Sequence, residues 1–323
     1  MRILFVMDPL ELVDVNHDST FAIMLEAQNR GHEVLYCLQP SLRLRGREGP
    51  AATVQRVTLR PVKGGDHARF EPQEAVDLRD LDVIFMRKDP PFDIEYIFAT
   101  YILEAAEPHA LVVNRPASLR SHNEKLYALA FPEFCPDTLV TSDAAEVRAF
   151  QEALGDRGAG RSIVVKPLDG NGGEGIFVVR EGDPNLNVIM ELSTRKGRRP
   201  IMAQRYLPEA QAGDKRVLFV DGEFAGAVNR VPKGKDPRGN MVRGAIAEKT
   251  TLTARELAMA AALGPRLKAD GHLFVGIDVI GEHLTEVNVT SPTGIHEVNR
   301  LDGVKVETRV VEALEQNRAA QRR

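Results

Sequence analysis

The run Lys166-Pro167-Leu168-Asp169-Gly170-Asn171-Gly172-Gly173-Glu174-Gly175 constrains this chain more than any other, because of what stands on either side of it. Residues 162–165 lead in as an apolar, β-branched run, and Ile176-Phe177-Val178-Val179 leads out as another. Gly170, Gly172 and Gly175 satisfy G-x-G-x-x-G, but the dinucleotide fingerprint requires a helix directly after the glycines and an acidic residue about 20 positions on. A strand follows here, which removes the nicotinamide and flavin reading. No Gly-Lys-Ser/Thr follows either, so the loop is not a Walker A motif. What remains is a glycine hairpin between antiparallel strands: a plain flexible turn, or a cover that directs backbone N–H groups at phosphates. Four glycines within 170–175 exceed what a turn needs, and each costs conformational entropy, which favours the cover. Lys166, ending the first strand beside it, stands where a point charge would neutralise phosphate.

Around that loop the 323 residues show two patterns, in keeping with about 150 residues per domain. In the first, runs over 3–7, 33–38, 83–86 and 111–113 read as strands. Between them lie helices over 21–30, capped by Ser19 or Thr20 and stopped by Gly31, and over 94–106. That alternation predicts a parallel sheet with helical crossovers. The stretch 43–69, basic and rich in Gly and Pro with weak alternation at Val54, Val57 and Leu59, reads as a hairpin or mobile excursion rather than a core element. Its Arg43, Arg45 and Arg47 read as a solvated face.

Past Pro116 the pattern changes, and a boundary is placed near residue 122. A short helix over 123–131, a strand over 138–141 and a helix capped by Ser142 and running through Leu154 precede the glycine hairpin. After it come a helix over 185–192, a strand over 201–204, and strands 216–220 and 224–228 flanking Asp221-Gly222, a type I′ signal. Thr253-Ala254-Arg255-Glu256 is a capping box for a helix through Lys268. A second hairpin joins 274–280 to 284–289, and a last helix over 304–316 leads to a tail, 317–323, expected to fray.

A formal charge of −4 with 27% charged residues carries no strong sign, which excludes a dominant electrostatic grip on nucleic acid or an anionic membrane. Cys37 and Cys135 stand far apart without partners at ligand spacing, so neither a disulfide framework nor a zinc site is expected, and a reducing cytoplasm is. The first apolar run stops at Asp8-Pro9, and none approaches the ~20 residues that span a bilayer. His122 and His296 stand beside motifs but receive no catalytic role, since a lone histidine is usually structural or solvated.

Asp278 lies inside an otherwise apolar strand, Phe274-Val275-Gly276-Ile277-Asp278-Val279-Ile280, where an uncompensated carboxylate is expensive. Glu286 and Asn288, two positions apart across the hairpin, share a face, with Ser291 and Thr293 beyond them. Such oxygen donors suit Mg²⁺ together with substrate phosphates and water. Register decides whether Asp278 joins them. A two-residue turn at Gly281-Glu282, which Gly-X favours in its II′ form, pairs 278 with 285 and turns Asp278 away from Glu286. A three-residue loop or a bulge pairs 278 with 286 and 276 with 288. The alternative is a carboxylate ion-paired with nearby arginines.

Six segments together resemble the bacterial glutathione synthetases, ATP-grasp ligases, nearly end to end. The first three are Met7-Asp8-Pro9, Met86-Arg87-Lys88-Asp89-Pro90-Pro91-Phe92-Asp93 with Ala99-Thr100-Tyr101-Ile102-Leu103-Glu104, and Asn123-Glu124-Lys125-Leu126. The others are the stretch from Lys166 to Gly173, Gly213-Asp214-Lys215-Arg216-Val217-Leu218, and Thr285-Glu286-Val287-Asn288-Val289-Thr290-Ser291-Pro292-Thr293. The resemblance implies an α/β and α+β protein: a parallel-sheet, Rossmann-like pre-ATP-grasp domain over 1–122, then an ATP-grasp fold over 123–316. Its two subdomains, about 123–203 and 204–316 with a lid over 231–245, would clasp ATP.

It further implies that Lys125 and Lys166 bind ATP phosphates under the loop of Gly170, Asn171, Gly172 and Gly173, and that Gln204, Tyr206 and Leu207 line the adenine pocket. Asp278, Glu286 and Asn288 would hold Mg²⁺, or Mn²⁺ in its place, and Arg216, Arg230 and the lid's Arg238 would contact substrate and the transferred phosphoryl group. The implied reaction joins γ-glutamylcysteine to glycine in the cytoplasm, in a homo-oligomer, dimer or tetramer. The alternative is another ATP-grasp carboxylate-amine ligase with a different amino acid or dipeptide. Two departures stand out: Met241-Val242-Arg243-Gly244 where relatives have a more glycine-rich lid, and Glu174 where they usually have Ala. Lys125, Lys166, Arg216, Arg230 and the metal are expected to concentrate positive charge in one cleft.

Overall fold

The strand and helix alternation of the first third builds a parallel sheet in which Glu33–Cys37, Arg2–Val6, Val83–Met86 and Leu111–Val113 lie side by side in that order. The computed structural model describes residues 1–155, 160–233 and 245–323. The stretch expected as a hairpin or mobile excursion does form a hairpin, Leu42–Arg45 with Gly49–Leu59, but it belongs to this sheet and to its core. Gly49–Leu59 pairs antiparallel with Glu33–Cys37 and with Leu42–Arg45, Ala68–Phe70 and Glu74–Asp77, and it buries Ala52, Val54, Val57 and Leu59. Its alternation looks weak in sequence because the buried parity switches from even to odd positions between Val54 and Val57.

Two helix caps fall one residue from where they were expected. Asp18 caps Ser19–Asn29 by accepting from Phe21 N at 2.6 Å, and Asp143 caps Ala144–Ala153 by accepting from Ala145 N at 2.7 Å. Ser19 is drawn instead into a tertiary contact, its Oγ accepting from Gly294 N and Ile295 N. The helix expected over 123–131 reduces to one 3₁₀ turn, Tyr127–Ala130. The Asn123 side chain accepts from Lys125 N and Leu126 N, an Asx turn that competes with helix initiation.

An antiparallel four-stranded sheet follows, in the order Phe177–Val179, Ile163–Pro167, Ile201–Arg205, Thr138–Thr141. The subdomain boundary expected at 203/204 cuts through its Ile201–Arg205 strand, so this sheet extends to Arg205. The third sheet has five strands in the order Ile246–Lys249, Glu223–Val231, Asp214–Val220, Phe274–Ile280, His283–Asn288. Asp221 (φ 52°) and Gly222 (φ 82°) both take positive φ, as the type I′ hairpin demands. A side chain on Gly222 would also strike Gly264 O, at 2.6 Å, where the turn meets the Ala254–Ala269 helix opened by the Thr253/Glu256 capping box. The last helix, expected over 304–316, runs over Val306–Gln321, so most of the tail expected to fray is helical. A further helix, Ile295–Asp302, precedes it.

Two of the three hydrophobic cores are shared between the first and third sheets: Phe5, Val34 and Val83 cluster with Leu218 and Phe274, and Leu4, Leu35 and Met86 with Val217 and Ile277. Asn114, at the end of the parallel sheet, joins the two by using its whole amide. Its Oδ1 accepts from Leu273 N and Phe274 N (2.8 and 3.1 Å), and its Nδ2 donates to Phe274 O and Val289 O (2.9 and 2.7 Å). The third core, around Val147, Ile163, Val165, Met190 and Ile201, is confined to the four-stranded sheet and its helices.

Candidate active site

Every residue given a site role from the sequence that lies among the described residues lines one cavity of about 240 Å³ between the four- and five-stranded sheets. These are Lys125, Lys166, Gly170, Asn171, Gly172, Gly173, Gln204, Tyr206, Leu207, Arg216, Arg230, Asp278, Glu286 and Asn288. Arg238 and most of the lid, 234–244, lie outside the described residues.

The four-stranded sheet supplies the glycine loop as a hairpin: Ile163–Val165 pairs antiparallel with Phe177–Val179, so a strand, not a helix, follows the glycines. Gly172, Gly173 and Gly175 take φ of 60, 76 and 68°. A Cβ on Gly170 would meet Pro167 Cγ at 2.6 Å. Glu174 is exposed at the cavity rim. Lys166 and Gln204 share a face of adjacent strands, where Lys166 Nζ donates to Gln204 Oε1 at 3.0 Å and to Thr285 O, across the cavity, at 3.4 Å. Burial lowers the Lys166 pKa to about 8, against the pull of Glu286. Apolar side chains of Val164, Ile176, Leu207 and Ile280 line the same cavity near Gln204 and Tyr206.

The five-stranded sheet supplies charged groups in directly opposed pairs. Asp214 faces Arg230, Arg216 faces Asp278, and Asp278 faces Glu286 across neighbouring strands. The last pairing resolves the register question. The turn has two residues, Gly281 and Glu282, both at positive φ rather than in the II′ form, and a register shift beyond Asp278 leaves Thr285 as the extra residue. The bulge therefore puts Asp278 opposite Glu286 and Gly276 opposite Asn288.

The ion-pair alternative for Asp278 is present as well. Arg216 Nε and Nη2 donate to its two oxygens at 2.7 and 3.2 Å, and Arg230 Nη2 lies 2.9 Å from Oδ1. Burial alone would raise the Asp278 pKa, but the two guanidiniums outweigh it and hold the carboxyl well below the usual range. Arg230 also meets Asp214 Oδ2 at 2.7 Å, while Asp214 Oδ1 is buried without a hydrogen-bond partner among the described residues. Burial raises the Asp214 pKa to about 6 despite Arg230. Lys125 Nζ donates to Gly170 O at 2.6 Å and Glu286 Oε1 at 2.8 Å.

The cleft is thus not simply positive. Lys125, Arg216 and Arg230 each have a carboxylate partner, and Lys166 bonds to neutral oxygens. Sequence reasoning singled out no role for Asp214, Thr285 or Glu124, which line the cavity too. Asp214 stands two positions from Arg216 on the same strand, a period-2 spacing that could have exposed it.

The donors Asp278, Glu286 and Asn288 are all-oxygen and adjacent, and the Asn288 amide has a buried end, Nδ2, with no partner among the described residues. Turned over, the amide would present its oxygen there. This set fits a hard divalent cation completed by phosphate and water.

Residues 1–120 match the family described as prokaryotic glutathione synthetase, N-terminal domain, and 124–303 its ATP-grasp domain. The chain is 45% identical to a glutathione synthetase of Rhodopseudomonas palustris over 319 residues, covering 99% of each. It is 46% identical to that of Synechococcus elongatus over 324 residues, covering 98% of each. The chain belongs to the prokaryotic glutathione synthetase family. Membership makes it an ATP-dependent ligase of glutathione synthesis that uses a divalent metal and small-molecule substrates. Solved structures similar to it include D-cycloserine synthetase DcsG, with TM-score 0.66 and 17% identity over 98% of this chain and 99% of that one. The ATP-grasp ligase PsnB has TM-score 0.63 and 18% identity with the same coverage. These likenesses show the fold. Among the described residues no helix is long and apolar enough to cross a membrane.

Proposed function

We propose that this cavity joins the cysteinyl carboxylate of γ-glutamylcysteine to the amine of glycine through an acyl phosphate. A carboxylate cannot expel oxide, so one of its oxygens first attacks the γ-phosphorus of ATP and ADP leaves. The glycine nitrogen then attacks the acyl carbon, phosphate leaves with the C–O electron pair, and the nitrogen loses a proton. The protein supplies positioning and charge rather than a nucleophile. Lys125 and Lys166 neutralise phosphate oxygens beneath the 170–175 loop, whose glycines let backbone approach closely, and the apolar wall beside Gln204, Tyr206 and Leu207 takes the adenine. Arg216, Arg230 and Arg238 are the groups assigned to the substrate carboxylate and the transferred phosphoryl group. Asp278, Glu286 and Asn288 would hold Mg²⁺ or Mn²⁺, which when bound would offset the phosphate charge.

The observation that carries this reading is the convergence of residues from three separated segments, 123–126, 166–173 and 285–293, on one cavity whose bulge aligns the oxygen donors. The free cysteines Cys37 and Cys135 support a reducing, cytoplasmic setting. A dimer or tetramer belongs to the same proposal, and light scattering gives its mass. The reaction is tested by ADP release with γ-glutamylcysteine and glycine omitted in turn and with metal chelated. Multiple-turnover ADP release should require the complete mixture; equal turnover without glycine, or with another acceptor preferred, would assign the cavity to a different ligase.

A further inference from the structure

The His283–Asn288 strand is the outer edge of its sheet, so the N–H groups pointing away from Phe274–Ile280 need acceptors from elsewhere. The segment 124–134 provides them. Leu284 N donates to Phe134 O and Val287 N to Glu124 O, both at 2.8 Å. Beyond the strand end the backbone of this segment no longer reaches, and the Glu124 side chain takes over. Its Oε1 accepts from Val289 N at 2.9 Å, Thr290 N at 3.0 Å and Thr290 Oγ1 at 2.8 Å. One residue thereby grips both sides of Asn288, through Val287 by its carbonyl and through Val289 and Thr290 by its carboxylate. Its neighbour Lys125 meets Glu286 at 2.8 Å.

We propose that Glu124 is a positioning residue that sets Glu286 and Asn288 in register with Lys125, its carboxylate standing in for a peptide carbonyl along the sheet edge. The proposal rests on the reading of Glu286 and Asn288 as metal donors, and it adds a residue that acts on them through the backbone. Placing a carboxylate close to Glu286 is unfavourable: burial and the charge of Glu286 both raise the Glu124 pKa. A glutamate here therefore needs a compensating reason, and three donors on one oxygen supply it. What those donors require for register is an acceptor oxygen at that point, which a carboxamide also supplies, through weaker bonds but without the cost of a buried charge.

The test compares Glu124→Ala with Glu124→Gln. In metal-free protein, amide exchange at Val289 and Thr290 should accelerate about tenfold or more in Glu124→Ala and stay near wild type in Glu124→Gln. In steady-state assays Glu124→Ala should raise the apparent KM for ATP and the half-activating metal concentration by about tenfold, leaving the KM for glycine within about twofold, with Glu124→Gln restoring both. Unchanged exchange in Glu124→Ala, equal defects in Ala and Gln, or a uniform loss of activity with a lowered melting temperature would each overturn the proposal. The exchange measurement is independent of metal, so a failure of the metal reading, seen as unaltered metal dependence in Glu286→Ala, is distinguishable from a failure of the clamp.

Discussion

The two sheets that face each other across the cavity are built on different principles. The four-stranded sheet has a private core and half-exposed outer strands: every residue of Thr138–Thr141 is partly accessible, and Phe177 and Val178 are exposed. It contributes one buried charge, Lys166, an amide, Gln204, and a loop of glycines. The five-stranded sheet shares its cores with the parallel sheet, is tied to it by Asn114, and carries the opposed carboxylates and guanidiniums. A side that grips a nucleotide needs backbone freedom and few fixed charges. A side that organises phosphoryl transfer needs charges held to fractions of an ångström, which shared cores and cross-strand pairs provide.

The largest expected effects test whether both sides serve one reaction. Lys166→Ala and Glu286→Ala, one from each sheet, should each lower turnover by roughly 10²–10³-fold while far-UV circular dichroism and cooperative unfolding persist. Wild-type turnover in either would detach that sheet from the chemistry. A smaller effect should separate the two sides. Arg216→Ala should leave ATP binding mostly intact by calorimetry and raise the KM for the dipeptide about tenfold or more. The same change leaves Asp278 with Arg230 as its remaining ion partner among the described residues, at a stability cost of about 1–3 kcal/mol. Equal loss of ATP and dipeptide binding would make Arg216 a structural residue instead.

The smallest effect concerns the gripping side alone. Lys166 must be charged to meet phosphate, and burial holds its free-state pKa down to about 8. Bound phosphate raises that value, so above it binding takes up a proton. ATP affinity should therefore fall as the pH rises through about 8, by up to about tenfold per pH unit. Lys166→Arg, charged throughout, should flatten the profile, and a wild-type profile that is already flat would place the lysine away from the phosphates.

Much of this was legible in one dimension because local chemistry determined it. The Asp221-Gly222 hairpin, the Thr253/Glu256 capping box and the strand after the glycines follow from φ preference, capping and β-branching, which act over a few residues. Ser19 and Ser142 misled because a neighbouring aspartate makes an equally good cap, and Ser19 is drawn off to a contact with Gly294 and Ile295 that lies far along the chain. The 43–69 stretch is a hairpin, one of its two expected forms, but its place in the core is not legible because its strand pairs with several partners and a parity switch hides the alternation. Glu124 carried no local signal that distinguishes it from a surface acid, and Asp214 only its period-2 spacing from Arg216; their partners, more than a hundred residues away for Glu124, reveal what they do.

By itself the sequence determined that strands flank a glycine loop, that lysine precedes it, and that oxygen donors alternate along a late strand, because each is a matter of residue type and period. Only the tertiary structure decided that Asp278 stands opposite Glu286. Turn length and hydrophobic pattern allowed either register, and the choice was settled by the extra residue Thr285, whose carbonyl meets Lys166 from the other sheet while its hydroxyl donates to Asp278 O. A bulge is stable there because partners from distant segments satisfy the groups it displaces, and no window along the chain contains them.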